Sequence, residues 1–258
     1  MPAMPSLASI SRYYLFTWLG IIAHVTRFTS REQYADPLTA LWILAATASY
    51  SMFYLVPAIA GGYLTYWLLN RSKNLRSRNM WLATSLIALA GLTHVVLFAD
   101  RMIHDMYGFH INGFVVDLVL TPGGIAALGA TRSTELTVTL IVTVLLALQG
   151  LGYYWLAARG AAASRPLPRI LRWRWLLLIV LALSLGERVA YGFSAVTNYQ
   201  PILFASESYP MYLPMSFRNL AARLGVREAE KTSSGIQVKN SALNYPLAPL
   251  DIDSSVRP

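Results

Sequence analysis

The residues best suited to bind a ligand form a short basic segment near the end of the chain, from Ser216 to Arg223. Its arginine side chains suit a lipid phosphate, because a guanidinium group can donate two parallel hydrogen bonds to it. Ser216 is a good N-cap, and apolar residues follow it at helical spacing, with polar residues on the opposite side. The apolar residues are Phe217, Leu220, Ala221 and Leu224, and the polar residues are Arg218, Asn219 and Arg223. Such a helix suits the membrane–water interface on the outer side of the membrane that the chain crosses. An amphipathic helix packed on a neighbouring domain, with its arginines in solvent, explains the pattern equally well.

A second group of residues has the side chains that metals prefer. It consists of His104, Asp105, His110 and Asp117. Their spacing matches no recognised metal motif, so we predict interfacial hydrogen bonds and pairing with Arg101 instead. His94 is predicted to face inward and to bond to a neighbouring helix.

The sequence offers no clear catalytic group. No nucleophile is flanked by a base, no glycine-rich phosphate loop follows a strand, and the chain has no cysteine. The polar tail lacks the periodicity from which a catalytic domain could build a core. We therefore predict that the chain as given is not an enzyme and uses no cofactor or metal.

Hydrophobic residues make up 55% of the chain and charged residues only 13%. The elements that position the candidate ligand-binding residues are therefore long apolar runs. A helix needs about 20 apolar residues to cross a membrane. Four runs are clear, and a shorter first run that contains His24 is counted as a fifth. The predicted spans are residues 13–28, 38–69, 80–99, 136–157 and 175–193. The predicted fold class is an all-α bundle of five transmembrane helices.

Two segments between these runs contain basic residues and no acidic residue, namely 70–79 and 158–175, and they account for the net charge of +9. Short cytoplasmic loops carry the excess of Lys and Arg. Both segments are therefore predicted to be cytoplasmic, as is the N-terminus. The outer loop at 100–135 and the tail at 194–258 then face the periplasm, where the tail carries the short amphipathic helix at the interface.

The same charge pattern bears on other classes of function. Nucleic acid is not expected as a partner, since the basic residues flank membrane spans and form no folded basic face. A small transporter is a weaker alternative. No Asp, Glu, Lys or Arg is predicted at the centre of a span, and no internal repeat is visible.

Local signals add one short helix on each outer segment. Asn112–Leu120 is predicted as a helix too short to cross, which lies on the bundle or in the interface. In the tail, the prolines exclude a long helix, and the only short helix predicted is the one that Ser216 begins.

Four stretches, in this order, resemble the N-terminal domain of YejM-like (PbgA-like) inner-membrane proteins, a family related to sulfatases and lipoteichoic acid synthases. They are Phe109–Leu118, Asn198–Ile202, Pro210–Gly225 and Tyr245–Leu247. The resemblance covers nearly the whole chain. It implies a bacterial inner-membrane protein with five helices, followed by a periplasmic hydrolase-like domain that lies beyond these residues.

The resemblance also implies a role in sensing envelope lipids. In the best-known member of that family, lipid A binds to the segment after the last span, and the matching residues here are Pro214–Asn219. Ser216 keeps the hydroxyl and Arg218 keeps one guanidinium, whereas Asn219 stands in place of a second arginine and removes one charged contact. Arg223, on the same helix face, is expected to compensate in part.

The expected lipid-binding residues are therefore Ser216, Phe217, Arg218, Asn219 and Arg223. The implied ligand is an anionic lipid, either lipopolysaccharide through its lipid A or cardiolipin. The implied protein partner is a membrane-anchored regulatory protein. The alternative function is a membrane anchor for a periplasmic sulfatase- or phosphatase-like hydrolase, or for a phosphoglycerol-type transferase, whose catalytic domain is missing here.

Overall fold

The computed structural model describes residues 5–34, 36–71, 75–124, 132–159, 173–217 and 223. Within these ranges, all regular structure is helical. The helices are α1 (Leu7–Val25), α2 (Pro37–Leu69), α3 (Leu75–Tyr107), α4 (Gly113–Leu120), α5 (Arg132–Tyr153), α6 (Trp173–Thr197) and α7 (Gln200–Glu207). A 3₁₀ turn at Arg31–Tyr34 precedes α2, and a π-helical turn at Tyr154–Ala158 follows α5.

Four of the described helices are long and apolar enough to cross a membrane: Pro37–Leu69, Arg76–Tyr107, Arg132–Ala158 and Trp175–Thr197. The predicted runs at 38–69, 80–99, 136–157 and 175–193 each lie inside one of them. The multi-pass membrane class thus follows from helix length and apolar composition. The remaining long helix, α1, has 19 residues and is not among these four.

The core of the bundle forms around α2, which packs against α1, α3 and α6, while α5 packs on α3. Tyrosines from α1 enter this core. Tyr14 is fully buried, and its hydroxyl donates a 2.7 Å hydrogen bond to the carbonyl of Ala58 on α2. Gly62 makes the close approach possible, because a Cβ there would overlap the Tyr14 hydroxyl and reach Leu86 of α3. Small residues at such contacts are typical of helices that pack in membranes.

Asp36 joins the start of α2 to the start of α7. Its carboxylate accepts a 2.7 Å hydrogen bond from the amide of Thr39, which caps α2, and one of 2.6 Å from the hydroxyl of Tyr199. The hydrogen bonds from Thr39 and Tyr199 hold the pKa of Asp36 below its ordinary value. Pro37 follows at the first helical position, where its missing N–H costs nothing.

The short helix expected in the outer loop is confirmed as α4. The Asn112 side chain caps it by accepting a hydrogen bond of 3.2 Å from the Val115 amide. The turn after it needs glycine at position 123, where φ is +80°. Val115 is the buried residue of α4, whereas Phe114 and Leu120 are exposed.

The expectation that the tail holds only one short helix is wrong. Residues 200–207 form α7, and Pro201 lies in its first turn. Proline is tolerated there, because the first turn of a helix has no internal acceptor for its N–H groups. A proline pattern alone does not distinguish this first-turn position from a helix interior, which Pro201 would break.

Candidate functional site

The segment that follows α7, Ser208–Phe217, returns to the bundle and is called here the tail segment. Tyr209 is 1% exposed, and its hydroxyl donates a 3.0 Å hydrogen bond to the carbonyl of Ile43. That hydroxyl also lies 2.9 Å from the hydroxyl of Thr47. Further along, the Tyr54 hydroxyl donates to the carbonyl of Pro210 at 2.7 Å. The tail segment is therefore fastened to α2, between Ile43 and Tyr54, through buried and partly buried hydrogen bonds.

Aromatic rings surround these hydrogen bonds. The Tyr50 and Tyr212 rings stack with centroids 5.2 Å apart, and Trp42 meets both Tyr209 and Tyr212 edge-on at 5.8 Å. Tyr191 of α6 lies 5.1 Å from Tyr212. Aromatic pairs at such distances stabilise a contact by roughly 0.5–1.5 kcal/mol beyond the burial of their area. The rings thus hold the tail segment between α2 and α6.

Two adjacent ionisable residues of α6, Glu187 and Arg188, form hydrogen bonds with the tail segment. The Tyr212 hydroxyl donates a 2.9 Å hydrogen bond to Glu187 Oε2, and the Trp42 indole donates to the Glu187 carbonyl at 2.8 Å. Burial, and next the nearby Glu187, raises the pKa of Tyr212, so its hydroxyl keeps the proton that it donates. Arg188 donates from Nη1 to the Leu213 carbonyl at 2.7 Å and from Nη2 to the Tyr50 hydroxyl at 3.1 Å.

This pair corrects one expectation from the sequence. Glu187 and Arg188 lie close to the middle of Trp175–Thr197, so ionisable residues do occur at the centre of a candidate span. The sequence predicts that the span ends at residue 193, which places the pair nearer to the membrane surface. The helix continues to Thr197, so the pair lies nearer to its middle. The sequence itself contains a signal for this pair, because two adjacent ionisable residues within an apolar run are rare unless they are paired or functional.

Phe217, one of the predicted lipid-binding residues, packs on α6. Its ring lies over Gly192 at a place where a Cβ would overlap ring carbons, and 5.9 Å from the ring of Phe193. Ser216, just before it, is exposed. The structure therefore brings Ser216 and Phe217 to the surface of α6, one helical turn beyond Arg188.

The other predicted site residues are placed as follows. Arg218 and Asn219 lie outside the described residues, as does most of the predicted helix that begins at Ser216. Arg223 is described by itself, and its side chain is exposed. The geometry of the predicted site is thus known at its first two residues and at its last.

Gly192→Ala is expected to displace Phe217, because the added methyl would occupy the position of the ring. A phenylalanine held only by the end of a chain segment can move, so we expect loss of the local contact without unfolding of the bundle. Hydrogen exchange at residues 208–217 measures this. Gly186→Ala on the same helix is the matched control, since its Cβ would meet nothing within 4 Å. Equal exchange in both variants would contradict the contact.

Three of the four residues with metal-ligand side chains, His104, Asp105 and His110, contact other side chains, and the rings of His104 and His110 stack with centroids 4.5 Å apart. Arg101 and Asp105 form an ion pair at 2.6 Å, as predicted. His110 bonds through Nδ1 to Asp100 at 2.7 Å and through Nε2 to the Glu207 carbonyl at 3.0 Å. Asp100 also accepts from the Ile111 amide at 2.6 Å. Among the described residues, no group of three or more His, Asp or Glu is arranged for a metal.

His94 faces inward as expected, but it does not form the predicted hydrogen bond to another helix within the described part of the chain. The residue is 2% exposed, and neither ring nitrogen has a partner among the described residues. Its ring lies 5.2 Å from that of His24, and a Cβ on Gly20 would approach it to 2.8 Å. Contact with α1 therefore positions His94 by packing rather than by hydrogen bonding.

An apolar groove of about 440 Å³ lies between α2 and α3, next to the tail segment. Phe53, Val56, Leu92 and Val96 line its walls, and Met211 of the tail segment covers one end together with Ile111. Asp100 is the acidic residue in this lining. The groove has the size and apolar character of sites that hold small ligands or acyl chains.

These features define the class of the protein as a helical membrane protein whose tail segment folds back onto its helices. Within that class, the chain belongs to the family described as domain of unknown function DUF3413, whose model matches residues 63–252. The match includes α3 to α7 and the tail segment. No curated protein matches the chain.

Proposed function

We propose that this chain is the membrane domain of an envelope-lipid sensor that binds an anionic lipid at the periplasmic leaflet of the bacterial inner membrane. The ligand is lipopolysaccharide, through the phosphates of its lipid A, or cardiolipin. The binding residues are Ser216, Phe217, Arg218, Asn219 and Arg223. The DUF3413 family supports this proposal, because the N-terminal domains of YejM-like proteins carry it.

The observation that carries the proposal is the position of the tail segment. Buried tyrosines hold it against α2 and α6, and it ends with Phe217 on Gly192 beside an exposed Ser216. The basic residues that follow therefore start from the surface of a helix that is apolar enough to span a membrane. A lipid phosphate next to that surface can meet a hydroxyl and guanidinium groups together.

The proposed topology completes this account. We count α1 as a fifth crossing with its N-terminus in the cytoplasm, because the acid-free segments 70–79 and 158–175 then both lie in the cytoplasm. The Arg71 guanidinium lies 4.5 Å from the centre of the Trp67 ring, and the Arg159 guanidinium lies 4.8 Å from the centre of the Trp155 ring. This arrangement suits the cytoplasmic interface of the membrane. The sensor would pass its signal to a membrane-anchored regulatory protein.

Arg218→Ala is expected to weaken binding of purified protein to lipid A by about tenfold to a hundredfold, the loss of one charged hydrogen-bonding group. Binding is measured in detergent with lipid A, cardiolipin and zwitterionic phosphatidylethanolamine. Arg132→Ala, which removes an exposed arginine at the start of α5, is the control and should bind as the wild type does. Unchanged binding in Arg218→Ala would refute the role of that residue, and absence of binding by the wild type would refute the proposed function.

A further inference from the structure

We propose that Arg188 is a direct ligand for the phosphate of the anionic lipid, an inference that rests on the proposed function. No pattern in the sequence assigned a role to this residue. The inference comes from the position of its guanidinium, which lies within a candidate span, on the surface of α6 and beside the tail segment.

The first argument is the cost of the charge. Arg188 lies in the C-terminal half of Trp175–Thr197, about 14 Å along the helix from Thr197 at a rise of 1.5 Å per residue, at the level that the tail segment reaches with Leu213. Charged side chains in a span are costly and are retained when they are paired or functional. The side chain of Arg188 is nevertheless 28% exposed. Its guanidinium is therefore accessible from outside the bundle.

The second argument is the lack of a full counter-ion. The adjacent Glu187 approaches Arg188 Nε only to 3.7 Å, beyond hydrogen-bonding distance, and its Oε1 has no hydrogen-bond partner among the described residues. Among the described residues, Arg188 donates to two neutral acceptors, the Leu213 carbonyl and the Tyr50 hydroxyl. An arginine has five N–H donors. The bonds to Leu213 and Tyr50 use two of these donors, and Glu187 offsets the charge only from 3.7 Å, so the guanidinium can still donate to an anion.

The third argument is location. Arg188 and Gly192 lie four residues apart and so share one face of α6. Phe217 covers Gly192, and Arg188 binds the carbonyl of Leu213, three residues before the exposed Ser216. Arg188 therefore lies one helical turn from the contact that holds Phe217, the last described residue of the tail segment.

The surroundings favour a lipid over a free phosphate. Leu213 is 59% exposed, Met215 40% and Phe53 48%, so apolar side chains reach outward around the guanidinium. The centre of the Phe53 ring lies 5.9 Å from that of Tyr50, whose hydroxyl accepts a hydrogen bond from Arg188. Such a surface accepts acyl chains beside a charged headgroup, whereas a free anion would lose its hydration there without compensation.

The test compares Arg188→Gln with Arg101→Gln in purified protein. Arg101 is the matched control because its side chain is 31% exposed, close to the 28% of Arg188, and pairs with Asp105. We expect Arg188→Gln to weaken binding of phosphorylated lipid A by about tenfold to a hundredfold. The control should leave binding unchanged. Arg188→Lys keeps the charge but loses the planar fork, and should fall between wild type and Arg188→Gln.

A purely structural role for Arg188 gives a different result. If Arg188 only holds the Leu213 carbonyl, the substitution weakens phosphorylated and dephosphorylated lipid A equally. If it binds the phosphate, the difference between wild type and variant disappears with the dephosphorylated lipid. Should Arg188→Gln fail to fold, the same comparison is made with Arg188→Lys. Lipid A and cardiolipin are assayed separately, which identifies the source of the phosphate.

Two failures remain distinguishable. Wild-type protein that binds no phosphorylated lipid refutes the proposed function. Wild-type protein that binds, with Arg218→Ala weakened and Arg188→Gln unaffected, refutes only the inference about Arg188.

Discussion

Tyr209→Ala is expected to release the tail segment from the bundle and to abolish lipid binding. The side chain is 1% exposed, and its hydroxyl contacts both Ile43 and Thr47. Truncating a buried aromatic residue to alanine costs roughly 3–5 kcal/mol. A short segment held by a few such contacts has little stability to spare, so it should open locally while the helices stay folded.

Hydrogen exchange measures this opening, and we expect faster exchange confined to residues 208–217 together with loss of lipid A binding. Met211→Ala is the control in the same segment, because Met211 is 73% exposed and its truncation removes little packing. Tyr209→Phe keeps the ring and should cost only about 1 kcal/mol for the lost hydroxyl. Protection of the segment in Tyr209→Ala equal to that of the wild type would show that the ring does not fasten it.

Gly62→Ala is expected to destabilise the bundle itself. The added methyl would overlap the Tyr14 hydroxyl and lie 2.5 Å from a methyl carbon of Leu86. Overpacking of this kind costs typically about 1–3 kcal/mol, and displacement of Tyr14 also breaks its bond to the Ala58 carbonyl, worth about 1 kcal/mol. The higher helix propensity of alanine returns about 1 kcal/mol. The net effect should therefore be a loss of about 1–3 kcal/mol.

Unfolding of the purified protein in detergent measures this loss. Gly186→Ala gains the same helix propensity in open space, so it should be neutral or stabilising. A Gly62→Ala variant as stable as Gly186→Ala would mean that α1, α2 and α3 do not meet as closely as described.

The parts of the fold that the sequence predicts are those with a local physical cause. A run of apolar residues long enough to cross a membrane forms a helix because its backbone groups must bond within the segment. This accounts for α2, α3, α5 and α6. The short helix α4 was predictable from its Asn112 cap and from the Pro122-Gly123 stop. By contrast, α7 was missed because Pro201 is a breaker inside a helix and acceptable in the first turn.

The candidate site depends on contacts that no local pattern contains. Tyr209 meets Ile43, and Arg188 meets Tyr50, across more than a hundred residues of sequence. The sequence identified Ser216 and Phe217 by their place in an amphipathic pattern, but it gave no indication that Phe217 would lie on Gly192. Glu187 and Arg188 were visible as an interruption of an apolar run, and their importance depends on the tail segment that binds them.

The central claim is that an anionic lipid binds beside the end of the tail segment on the outer surface of α6. A structure of the purified protein with lipid A tests it most directly. The account predicts density for a lipid phosphate within hydrogen-bonding distance of the Ser216 hydroxyl and the Arg188 guanidinium, with acyl chains along the neighbouring helices. Lipid density found only at the opposite end of the bundle, beside Arg71 and Arg159, would contradict it.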